Sequence, residues 1–125
     1  MTPISLPRFT KSVRHAAHGL AHAFGAENNF RIHTVFGIGI LLLLIVLHVP
    51  RRESALIVLV VASVLILELV NTIVERFADL LEPRVHPYVH IIKDLMAAVV
   101  VIAVIAAVIV GCLVFWPYLV IAFHL

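Results

Sequence analysis

Glu68, Asn71, Glu75 and Asp79 recur at intervals of three, four and four residues along a stretch that is otherwise apolar. Those intervals set them on one face of a helix. Ionisable groups at membrane depth are costly, so they normally face a bundle interior or a polar cavity and carry function. Glu68 stands deepest in the apolar run and is the candidate proton acceptor. Asn71 suits either the support of that carboxylate or interhelical glue. Glu27 and Asp94 bring carboxylates from two further segments toward the same interface. Hard oxygen donors of this kind suit Mg²⁺, which binds through one or two carboxylates, waters and substrate phosphates. Lys93 adds a point charge for phosphate oxygens, and Arg8 and Arg31 offer forked donors. Metal, cations and a spare carboxylate are the parts that phosphoryl transfer requires. The chain carries no Walker A sequence or protein-kinase set, so any nucleotide site must be built another way.

The elements that must position these groups are apolar helices. Hydrophobic residues make up 63% of the 125-residue chain and charged residues 13%, and the mean hydropathy is +1.16. This composition reads as one all-α membrane domain spanning residues 1–125. Residues 5–25 predict an amphipathic helix lying on the membrane surface. Phe9, Val13, Ala16, Leu20 and Phe24 form its apolar stripe, and Arg8, Lys11, His15, His18 and His22 its polar one. The three histidines read as a basic face for anionic lipid rather than a metal site, because no carboxylate or cysteine completes a ligand set. Gly25 is the expected end of this helix.

Three spans follow, over residues 28–49, 54–79 and 88–116. Arg51, Arg52 and Glu53 are expected to form the short turn between the first two. Gly37 and Gly39 are candidate close-packing points, and Trp116 and Tyr118 an aromatic belt with Pro117 loosening the far end. Cys112 is the single cysteine, so no disulfide framework or cysteine metal motif exists. No signal-peptide pattern precedes the first span, which is expected to remain in the mature protein. Arg8, Lys11, Arg14, Arg31, Arg76, Arg84 and Lys93 fall on one side, against Arg51 and Arg52 on the other. The positive-inside rule therefore puts the surface helix and the Asp79 and Lys93 ends in the cytoplasm. That topology accounts for the formal charge of +2 without nucleic acid. Asp79 and Glu82, near the helix end and beside Arg76 and Arg84, are expected to cap helices, to form ordinary interface ion pairs with Arg76, Arg84 or Lys93, or to pack a polar seam.

The run Glu27-Asn28-Asn29-Phe30-Arg31-Ile32-His33, then Glu68-Leu69-Val70-Asn71-Thr72-Ile73-Val74-Glu75, then Lys93-Asp94-Leu95-Met96-Ala97-Ala98 resembles the bacterial diacylglycerol kinase and undecaprenol kinase family. The likeness covers residues 8–116. It implies a homotrimeric kinase of the bacterial inner membrane that uses Mg·ATP to phosphorylate a lipid alcohol at the cytoplasmic face, each active site lying between neighbouring subunits. By position, Glu68 resembles the family's proton acceptor, supported by Asn71. Glu27 and Glu75 resemble its metal ligands, Lys93 and Asp94 its nucleotide-binding pair, and Arg8 a nucleotide-contacting arginine. His15 stands where a tyrosine is usual. Arg84 replaces an acidic residue of the diacylglycerol-preferring branch, and His86-Pro87-Tyr88 leans to the undecaprenol branch, as does Asn29 to His33.

Two other classes compete with the kinase. A membrane scaffold would use the polar seam to hold an oligomer together. A proton or ion carrier would need the acidic line to cross the membrane, and the line stops at Glu68.

Overall fold

The computed structural model describes residues 6–81 and 87–124. Those residues form four helices: α1 (Leu6–Ala26), α2 (Asn28–Val46), α3 (Arg51–Leu81) and α4 (Tyr88–Phe123). The last three are long and apolar enough to cross a membrane. The expected pairing of Asp79 or Glu82 with Arg84, and the segment from Glu82 to His86, lie outside the described residues.

Helix α1 leaves its apolar stripe uncovered by protein. Phe9, Val13, Leu20 and Phe24 are all exposed, and Ala23 is its buried residue. An amphipathic helix with an open apolar face is suited to the acyl boundary of a bilayer. The corner into α2 is a single residue: Glu27 is extended (φ −108°, ψ 113°), while its N–H still bonds to the Ala23 carbonyl at 2.8 Å and its own carbonyl accepts from Arg31 at 3.1 Å. Gly25 does not take a left-handed φ, so the helix ends by a different device from the expected glycine cap. The Arg31 guanidinium donates to the Phe24 and Gly25 carbonyls at 3.1 and 2.9 Å, which satisfies carbonyls left open at a helix C-terminus. It also lies 5.9 Å from the centre of the Phe24 ring. Arg31, expected as a phosphate donor, is thereby used to fix α1 on α2.

Between α2 and α3 the expected turn moves. Arg51, Arg52 and Glu53 form the first turn of α3, and the reversal falls on Leu47 to Pro50. His48 takes the left-handed conformation (φ 52°). Its N–H bonds to the Ile45 carbonyl at 3.2 Å and that of Val49 to the Leu44 carbonyl at 3.1 Å, the bonding pattern of a Schellman cap. Pro50 then leads directly into α3, where its fixed φ and missing N–H suit a helix start. Glu53 places negative charge in the first turn, where the helix dipole favours it.

Helix α4 runs through Pro117 to Phe123, beyond the expected end at Trp116. Proline removes one backbone bond and crowds the carbonyl four residues before it, but interruptions of this kind are tolerated in membrane helices because neighbouring groups satisfy the freed carbonyl. The 31 residues of α3 and 36 of α4 rise about 46 and 54 Å. Both exceed a bilayer core of about 30 Å, so their ends lie at or beyond the interfaces.

The buried residues of α3 are Ile57, Val64, Glu68, Asn71 and Ala78, all on one face at spacings of seven, four, three and seven. The polar line is therefore a continuation of the packing stripe that α3 turns toward α2 and α4. At the turn end, Leu44, Ile57, Val114 and Phe115 close an apolar core. Gly37 lets α2 approach α3: a Cβ there would come within 2.8 Å of Val61 Cγ1. Gly39 faces open space and is not a packing point within this chain.

Candidate active site

Glu68 occupies a core position. It is 2% exposed and Asn71 7%, because both replace apolar residues in the packing stripe of α3. His33 reaches across from α2, its Nε2 3.0 Å from Glu68 Oε1. The contact is of ion-pair length, yet Glu68 Oε1 has no aligned hydrogen bond, and neither does Asn71 Oδ1. Buried polar atoms left unpaired in this way are rare and call for an explanation. One turn further along α3, Asn71 Nδ2 donates to Glu75 Oε1 at 3.1 Å. The charges of Glu75 and Glu27 both bear on Glu68, so carboxylates from the α1–α2 corner and from α3 are electrostatic neighbours.

Two cations frame the cluster at its wetter end. Arg76 donates to Glu27 Oε1 at 2.6 Å, and Lys93 donates to Asp79 Oδ1 at 2.6 Å. Of the cations expected to pair with these carboxylates, Lys93 meets Asp79 and ties α3 to the first turns of α4, while Arg76 turns to the α1–α2 corner. Partner choice follows from how the helices cross, which spacing on α3 alone does not reveal. Asp94 is exposed beside Lys93. Arg8 and His15 are exposed on α1, and among the described residues neither makes a hydrogen bond or ion pair with the cluster. Spacing and residue type in the sequence do not single out His33 or Arg76 as site residues. A signal for His33 was available: counted outward from the α2–α3 turn, it lies within about one helical turn of Glu68 in depth.

An apolar cavity of about 530 Å³ lies between α2, α3 and α4, lined among others by Phe36, Val61, Val64, Val104 and Phe115. His33 contributes to its wall and also touches Glu68, so the cavity and the carboxylate cluster meet at this imidazole.

The donor set accommodates a hard cation. Glu27 and Glu75 supply carboxylate oxygens whose charges both bear on Glu68. Among the described residues no three histidine, cysteine or acidic side chains converge into an all-protein metal cage. Two carboxylates completed by water and phosphate oxygens is a Mg²⁺ arrangement, and Arg76 would have to share Glu27 with it.

Three apolar spans and a buried carboxylate–amide pair met by a partly exposed imidazole that lines an apolar cavity define a small integral membrane protein with an intramembrane polar site. Residues 14–115 match the prokaryotic diacylglycerol kinase family. The diacylglycerol kinase of Synechocystis sp. (strain ATCC 27184 / PCC 6803 / Kazusa) is 40% identical over 115 residues, 90% of this chain and 66% of that protein. The undecaprenol kinase of Bacillus subtilis (strain 168) is 32% identical over 114 residues, 91% of this chain and 93% of that protein. The chain thus spans slightly under two thirds of the cyanobacterial relative and nearly all of the Bacillus one. It belongs to the prokaryotic diacylglycerol kinase family, a family of membrane lipid kinases.

Proposed function

We propose that this protein transfers the γ-phosphate of ATP to the hydroxyl of a membrane lipid alcohol, giving the lipid phosphate and ADP. The observation that carries the reading is Glu68, a carboxylate buried in the packing stripe whose Oε1 lacks an aligned hydrogen bond, touching the His33 imidazole that lines an apolar cavity. A lipid alcohol suits that junction, because its chain belongs in apolar surroundings and its hydroxyl must reach a base.

Glu68 accepts the hydroxyl proton as the oxygen attacks the γ-phosphorus. Asn71 holds Glu75 through its amide. Glu27 and Glu75 would hold Mg²⁺ together with the phosphates; when bound, the ion offsets phosphate charge and orients the transferred group. Lys93 and Asp94 bind nucleotide from the start of α4. The Lys93–Asp79 pair is partly solvated, with side-chain exposures of 27% and 53%, and pairs of this kind are weak enough to exchange for phosphate. Arg8 and His15 complete the nucleotide site from the surface helix of a neighbouring subunit in a homotrimer. The active site faces the cytoplasm at the inner membrane, where ATP is available and most cationic residues lie.

Undecaprenol is the favoured acceptor and diacylglycerol the alternative. The near full-length match to the Bacillus undecaprenol kinase and the Asn29–His33 and His86–Tyr88 stretches support the first. The higher identity to the cyanobacterial diacylglycerol kinase supports the second. Detergent-purified protein, assayed for Mg²⁺-dependent transfer of labelled γ-phosphate to each lipid separately, is expected to label undecaprenol faster. Faster labelling of diacylglycerol would reverse the preference, and labelling of neither would overturn the kinase reading.

A further inference from the structure

We propose that His33 is a positioning residue for Glu68, holding the catalytic carboxylate at the junction with the apolar cavity; the inference rests on the kinase reading above. Glu68 is carried by α3 and His33 by α2, so their 3.0 Å contact joins two helices at the depth where the chemistry is assigned. A glutamate has three side-chain torsions, and its neighbours on α3 do not fix it. Asn71 gives its amide to Glu75 instead. The nearby cations are committed elsewhere, Arg76 to Glu27 and Arg31 to the end of α1. Glu75 and Glu27 bring like charge to bear on Glu68 and push against its carboxylate. His33 is the group that answers that push.

The geometry also leaves the carboxylate usable. Imidazole Nε2 meets Oε1, while Oε2 takes no hydrogen bond among the described residues. The lipid O–H bond then breaks with its proton passing to Oε2. The oxygen's electron pair forms the new O–P bond as the β–γ bridging oxygen leaves with ADP. His33 touches neither reacting atom. The side chain of His33 is 25% exposed against 3% for Glu68, and it lines the cavity. A hydroxyl arriving along the cavity therefore meets Glu68 beside an imidazole that has already oriented it.

The test is kcat and KM, for ATP and for lipid separately, of His33→Ala and His33→Gln in the intact detergent-purified oligomer, each alone and combined with Glu68→Gln. His33→Ala is expected to lower kcat about 100-fold, the cost of misplacing a reacting group by about 1 Å, with both KM values unchanged. The glutamine amide N–H reaches the same oxygen, so His33→Gln is expected to recover most of the rate. In the Glu68→Gln background neither change should lower the residual rate further, because there is no base left to position. Wild-type kcat in His33→Ala would overturn the proposal while leaving the kinase reading intact, as would losses that multiply with Glu68→Gln. If His33→Ala fails to assemble, His33→Gln in the two backgrounds decides by the same criterion. Absence of transfer by the wild-type protein would overturn the kinase reading and this proposal together.

Discussion

The two ends of the bundle are built from similar materials and to opposite purposes. At the α2–α3 turn, Glu53 is satisfied: the Tyr118 hydroxyl donates to its Oε2 at 2.6 Å, and the apolar core of Leu44, Ile57, Val114 and Phe115 packs close by. At the other end Glu68 is more deeply buried than any other carboxylate described, yet an oxygen of it is left without an aligned hydrogen bond, as is Asn71 Oδ1. A group placed for stability finds its partners within the chain. On the proposed reading Glu68 is placed for chemistry, held at one oxygen by His33, and the fold tolerates the cost of burying it because the rest of the α3 stripe packs normally.

Breaking each end separately sharpens the contrast. The largest effect is expected from Glu68→Gln, which keeps shape and removes the base: phosphoryl transfer should fall roughly 10²- to 10⁴-fold, while the oligomer and its melting temperature in detergent stay near wild type. Retention of the rate would sink the assignment of Glu68. Glu27→Gln is next. It weakens a proposed metal ligand, and the Mg²⁺ concentration for half-maximal rate should rise at least about tenfold, measured by titrating Mg²⁺ at saturating ATP. An unchanged Mg²⁺ requirement would remove Glu27 from the metal site.

The turn end should respond in stability instead. Phe115→Ala opens a cavity in the core, and comparable truncations cost about 3–5 kcal/mol. Thermal unfolding should shift down, with kcat preserved in the protein that remains folded. The smallest effect belongs to Tyr118→Phe, which deletes one hydrogen bond to Glu53 and should lower the melting temperature less than Phe115→Ala does. Its activity per folded oligomer should equal that of wild type, and a large drop in kcat would show that the two ends are coupled.

Much of this contrast is legible in the sequence, and what is not has identifiable causes. The spacing of Glu68, Asn71 and Glu75 marks one helix face, and those residues do lie on the stripe that α3 packs inward, with Glu75 half-buried toward its wetter end. Hydropathy likewise gives three apolar helices. Helix ends are harder to read. The turn depends on His48 accepting a left-handed backbone, a role that sequence rules assign first to glycine. Pro117 marks an end by local rule, but the helix passes it because apolar surroundings continue on both sides.

Partners between helices are the least legible. Arg76 meets Glu27 and Lys93 meets Asp79 because of how α3 crosses the α1–α2 corner and the start of α4. Depth counted from the turn brings His33 level with Glu68, but its contact is hidden for the same reason. On its own helix it is one polar residue at the edge of an apolar run, and its meaning comes from a carboxylate that approaches from another helix.

The most direct test of the central claim compares matched, shape-conserving changes at the two ends. Labelled γ-phosphate transfer from Mg·ATP to lipid would be measured for wild type, Glu68→Gln and Tyr118→Phe, all as verified oligomers at equal concentration. Glu68→Gln is expected to abolish nearly all transfer and Tyr118→Phe to leave it intact. Equal losses in both variants, or full transfer by Glu68→Gln, would contradict that claim.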